Sequence, residues 1–146
     1  MIQRIQSLYL LLAAGAGTAT WFLNLWKAKL SNNTESYFNA QSSYLVFTVY
    51  MIIVLLALIC IFLYKNRKLQ FRLTVINVLF AIGAIALQYF KVQDHANGLV
   101  AAGLNIISAT YLPGAFLPIL ILIFLFLAAR GIYKDEKLIK SLDRLR

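Results

Sequence analysis

The sequence predicts an all-α integral membrane protein: four transmembrane helices in an antiparallel bundle, with a cytoplasmic amphipathic C-terminal helix extension. Three observations predict it. Four apolar stretches, Ile5–Trp26, Tyr44–Tyr64, Leu73–Phe90 and Tyr111–Ala129, approach or exceed the ~20 residues with which a helix crosses a ~30 Å hydrocarbon core. None of them holds an Asp, Glu, Lys, Arg or His. The segments between them alternate sharply in positive charge, and hydrophobic residues make up 62% of the chain, which leaves too little polar sequence for a separate water-soluble unit. The whole chain, 1–146, therefore reads as a single membrane domain.

The first helix, about 5–26, begins almost at Met1 and superficially resembles a signal peptide. Its small-residue run Ala13–Thr20 is followed by Trp21, Phe22 and Leu25, so apolar sequence continues where cleavage would end it, and a retained helix is expected. Ala13/Gly17, Gly15/Ala19 and Ala16/Thr20 are each four residues apart. That spacing lets another helix approach closely, because association in lipid rests on van der Waals contact and weak Cα–H bonds. Ala13, Gly15, Gly17 and Ala19 are thus candidate packing residues. Helix three, around Gly83 between Ala81 and Ala84, is the candidate internal partner, and another protein is the alternative. Segment 27–43, with Ser31-Asn32-Asn33-Thr34, reads as an irregular outer turn.

Helix two, about 44–64, carries the lone Cys60, which reads as a small buried hydrophobe; one cysteine forms no intrachain disulfide. The eight residues Lys65–Arg72 make helices two and three antiparallel neighbours. In helix three, about 73–90, Asn77 is expected one turn in, near the cytoplasmic surface, while Asn24 and Gln88 lie toward the outer one. Trp21, Trp26, Tyr44, Tyr64, Tyr89 and Tyr111 fall near helix ends and read as interfacial anchors. Asp94 and His95 read as a solvated loop, and 98–110 as an apolar segment too short to span, interfacial or re-entrant. Helix four, about 111–130, opens at Pro113 and is expected to bend at Pro118, which removes a backbone donor.

Charge sets the expected orientation. Lys65, Arg67, Lys68 and Arg72 give the middle loop +4, and the tail 131–146 with Arg130 carries +3, whereas the segments 27–43 and 91–110 carry +1 and 0. Short loops rich in Lys and Arg stay cytoplasmic, which places both termini and the middle loop inside and the two longer loops outside. The same bias accounts for the net charge of +9, so nucleic acid is not an expected partner. Along the tail, Lys134, Lys137, Lys140 and Arg144 share one broad helical face with Arg130, and Leu138, Ile139, Leu142 and Leu145 share another. The basic stripe is a candidate docking surface for anionic phospholipid or a protein partner, with Leu138, Leu142 and Leu145 packed beneath it.

The opening Met1–Ala13, the central Tyr64–Leu73, the Tyr111-Leu-Pro-Gly114 turn and the closing Ala128–Arg146 resemble a family of short four-helix inner-membrane proteins of Bacteroidota, a domain family of unknown function. The resemblance covers the whole chain and implies such a setting; it implies no activity. No catalytic, cofactor-binding or metal-binding residues are identified, and an enzyme is not expected. The expected function is a non-catalytic structural or accessory subunit of a larger inner-membrane complex, such as one for protein export, membrane insertion or respiration. The alternative is a stand-alone or oligomeric protein that handles a small solute or lipid.

Overall fold

The computed structural model describes residues 2–143, with the backbone alone at 2–4, 140, 142 and 143. Helix α1 (Ile2–Phe22) leads into strands β1 (Asn24–Leu30) and β2 (Glu35–Asn39). Helices α2 (Tyr44–Phe62) and α3 (Arg67–Ala101) follow, then strand β3 (Ile106–Tyr111) and helix α4 (Leu117–Asp143). The fold is mostly helical. Segments Tyr44–Lys65, Arg67–Ala101 and Pro113–Ile139 are long and apolar enough to cross a membrane. Helices α1 and α3 each pack against both α2 and α4.

Helix α3 shows how the sequence partitions. Its inward positions Gln70, Thr74, Asn77, Ala81, Ala84 and Gln88 are spaced by three or four residues, and all are buried. They are polar or small. Its outward positions include Ile76, Leu79, Phe80, Ile82 and Phe90. Asn77 is 0% exposed and Leu79 63%. Water would favour the opposite arrangement; a hydrocarbon solvent favours this one, since it offers buried amides no partner and exposed leucines no penalty. The amide donors find theirs across helices: Gln70 Nε2 donates to Cys60 O at 2.9 Å, and Asn77 Nδ2 to Ile53 O at 3.1 Å. Asn77 lies about three turns into α3, not one, because the helix begins at Arg67.

The all-α expectation is corrected by a three-stranded antiparallel sheet, ordered β2-β1-β3. Segment 27–43 is largely a β-hairpin whose tight turn places Asn33 at φ 61°, a left-handed conformation that Asn tolerates. Within 98–110, the first residues end α3 and 106–110 belong to β3, which pairs with β1. Residues 98–110 are thus the end of a helix, a short connection and a paired strand. Trp26 pairs with Phe38 on one side and Tyr111 on the other, and Ala28 with Ser36 and Ala109. These residues share one face of the sheet, on which Trp26, Ser36 and Phe38 meet His95 of α3, while Lys27 and Lys29 lie on the other, the period-two alternation of a half-buried strand. Trp26 is buried in the sheet, not an anchor at a helix end.

Helix α3 has 35 residues and so extends about 52 Å, well beyond one hydrocarbon thickness. Its final turns lie beneath the sheet. Asp94 and His95 are therefore helical, not in a loop; His95 contacts Ser36 across 3.1 Å, and its ring lies 5.4 Å from that of Phe38 and 5.9 Å from that of Trp26. Helix α4 starts at Leu117 after a 3-10 turn over Pro113–Phe116, so Pro118 stands in its first turn, where a missing N–H costs little and no mid-helix bend follows. Gln88 Nε2 donates to Ala115 O at 3.3 Å, and its Oε1 accepts from the Tyr50 hydroxyl at 2.6 Å. One buried amide thus joins α2, α3 and the entry to α4.

Candidate docking face at the basic end

The start of α3 and the second half of α4 meet at the end of the molecule that holds Lys65, Arg67, Lys68 and Arg72. Asn66 caps α3 by accepting from Leu69 N at 3.4 Å. Arg67, one residue on, turns inward. Its guanidinium lies 3.7 Å from the carboxylate of Asp135 on α4, and Gln6 Nε2 of α1 donates to that same carboxylate at 2.7 Å. Asp135 is 6% exposed, so its charge is spent inside the protein, tying α1, α3 and α4 together. Gly131, one turn before Asp135, makes room for this contact: a Cβ there would stand 2.8 Å from Gln6 Cγ.

With Asp135 turned in, the outward face of α4 is cationic at Arg130, Lys134 and Lys137, all exposed, and Glu136 beside them is half-buried. Lys140 continues the helix in its backbone, and Arg144 lies outside the described residues. Leu138 and Ile139 are 53% and 41% exposed, so Leu138 does not pack beneath the basic residues as expected. Leu145 also falls outside the described residues, and Leu142 is described by its backbone alone. Tyr133 is exposed, with its ring 5.9 Å from that of Phe71 on α3.

The packing candidates of α1 divide by face. Ala13 and Gly17 are buried, Ala19 is half-buried and Gly15 is exposed with open space beside it. A Cβ at Gly17 would stand 2.6 Å from Val54 Cγ2, which marks the close approach of α1 to α2. Gly83 lies on the outward side of α3, also with open space, while Ala81 and Ala84 face Tyr50, Ile53, Pro118 and Ile121. Sequence reasoning missed Gln6, Arg67, Gly131 and Asp135 as a group. The available signal was the Gly131–Asp135 spacing of four on a helix otherwise dominated by cations.

Residues 2–145 match the domain of unknown function DUF4293. The chain belongs to this family. Neither the curated proteins nor the solved structures contain a match. Family membership spans both the basic end and the sheet, so the Gln6–Asp135–Arg67 lock and the strand pairing lie within one DUF4293 unit.

Proposed function

We propose that this DUF4293 chain is a non-catalytic structural or accessory subunit of a larger bacterial inner-membrane assembly, spanning the bilayer four times as an antiparallel bundle with both termini cytoplasmic. The observation that carries the reading is how the helices spend their polar groups. Gln6, Tyr50, Gln70 and Gln88 all bond to other elements of the chain, while exposed cations gather at one end, Lys65, Lys68 and Arg72 around the start of α3 and Arg130, Lys134 and Lys137 on α4. Such a molecule is built to be stable in lipid and to present a surface. The 21 residues of α1, about 31 Å, suit a fourth span, and α1 packs on two of the three apolar helices. The charge asymmetry between the basic end and the sheet end supports the orientation. The resemblance of the opening, central and closing motifs to a Bacteroidota family supports the bacterial setting.

Two experiments test this. In a Cys60→Ser background, a thiol placed by Ser36→Cys should label from outside the cell, whereas one placed by Ser141→Cys should label only after permeabilisation; the reverse pattern refutes the topology. Gentle detergent extraction of tagged wild type should recover a stoichiometric larger partner. Lys134→Glu with Lys137→Glu should release it in a salt-sensitive way, because exposed charges are screened over about 8 Å at physiological ionic strength. A homogeneous small particle from the wild type refutes the subunit reading.

A further inference from the structure

Toward the apolar part of α4 from its cations, a trough runs between α3 and α4. Phe71, Val75 and Val78 line one wall, Phe126 and Ala129 the other, and Arg130 and Tyr133 stand at its basic end. The same Arg130 and Tyr133 line the adjoining concavity that continues along Lys134 and Lys137. An apolar channel therefore opens directly into a cationic one.

We propose that this trough holds one anionic phospholipid of the cytoplasmic leaflet, an acyl chain lying along Val75 and Val78 and the phosphate seated among Arg130, Lys134 and the Tyr133 hydroxyl. The proposal rests on the membrane orientation given above. Three features select this occupant. The outward residues at this depth, Val75 and Phe126, are exposed and apolar, so the bilayer supplies acyl chains to the trough. Arg130, Tyr133 and Lys134 fall within one helical turn, close enough for a single phosphate to meet a planar guanidinium, an ammonium and a hydroxyl. Finally, of the two neighbouring acids, Asp135 is engaged by Gln6 and Arg67, and Glu136 lies two residues past Lys134, about 200° around the helix from it, so neither carboxylate stands on the face that Arg130 and Lys134 share. A zwitterionic lipid brings a choline ammonium that the same cations repel, which makes the site selective for net negative charge.

The test uses the full chain, purified in neutral detergent, stripped of lipid and offered equal amounts of phosphatidylglycerol and phosphatidylcholine with the same acyl chains. Native mass spectrometry should show retained phosphatidylglycerol favoured by about tenfold, from the cations near the headgroup. Arg130→Gln with Lys134→Gln should bring the ratio close to one. Val75→Trp fills the trough from its exposed rim without touching a charge, and should lower retention of both lipids at unchanged helicity by circular dichroism. Where that variant loses helicity, Phe126→Ala replaces it and should lower retention by removing one wall. Wild-type retention in the trough variant that folds overturns the acyl site and leaves a charged surface alone; displacement of the lipid by millimolar glycerol phosphate overturns a lipid in favour of free phosphate. Because the isolated chain is assayed, loss of the lipid preference refutes the site alone, whereas failure of gentle extraction to recover a partner refutes the subunit reading alone.

Discussion

Gly17 offers the sharpest test of how the helices are held together. A Cβ at Gly17 would stand 2.6 Å from Val54 Cγ2, about 0.8 Å short of ordinary contact, whereas one at Gly15 meets nothing within 4 Å. Both lie in the same helix, so their intrinsic gain on substitution by Ala, up to about 1 kcal/mol, is the same. Only the packing term differs. Forcing a methyl into a filled interface costs typically 1–3 kcal/mol, so Gly17→Ala should be destabilised by roughly that range relative to Gly15→Ala. Val54→Ala removes the atom that clashes. It should therefore rescue Gly17→Ala, giving a coupling of about 1 kcal/mol or more in the double-mutant cycle. Equilibrium unfolding in mixed micelles, followed by circular dichroism, measures all four species. Equal costs at Gly15 and Gly17, or additivity of the Gly17 and Val54 changes, would refute a close approach of α1 and α2 at this point.

The remaining predictions concern the polar contacts. Asp135→Ala strips the partner from both the Gln6 amide and the part-buried Arg67, and should cost about 3 kcal/mol, while Asp135→Asn keeps an acceptor for Gln6 and should cost less; equal unfolding midpoints for the two would refute the lock. Gln88→Leu leaves the Tyr50 hydroxyl and Ala115 carbonyl without their partner and should cost about 1–3 kcal/mol, more than Tyr50→Phe, as read by the same titration. On the outer face of the sheet, Lys27 lies 2.7 Å from Glu35. Its hydrogen bond, aided by that of Tyr37, holds the Glu35 carboxyl below the ordinary 4.5. Lys27 is in turn held above its ordinary 10.5, chiefly by Glu35. A lowered acid stabilises the fold above its unfolded value and loses that contribution as pH falls through the folded one; a raised amine loses its contribution as pH rises through its folded value. Sheet stability from this pair should thus be flat from about pH 5 to 10 and fall outside it, a profile that Trp fluorescence reads and that Lys27→Met should flatten at the acid edge.

The helices were legible because hydrocarbon imposes one rule on every lipid-facing residue, and a run such as Tyr44–Phe62 obeys it without reference to any other part of the chain. The sheet was harder because half its information lies elsewhere. The alternation Trp26-Lys27-Ala28-Lys29-Leu30 is a strand signal, but it lies beside an apolar helix whose pattern absorbs the first of those residues. Its partner β3, which aligns Thr110 with Lys27, is about 80 residues away. The same separation hid the basic-end lock. Read locally, Asp135 is one acid among cations on an amphipathic tail, and only the fold brings Gln6 to it from the other end of the chain. Helix α3 illustrates the remaining error. Charge at Arg67, Lys68, Arg72, Lys91 and Asp94 marks where the apolar stretch ends, and a helix whose further turns are covered by a sheet has no reason to end there. Membrane boundaries and helix boundaries are separate quantities, set by solvent and by packing respectively. In this chain they part most widely where His95, beyond the apolar stretch of α3, lies beside the rings of Trp26 and Phe38.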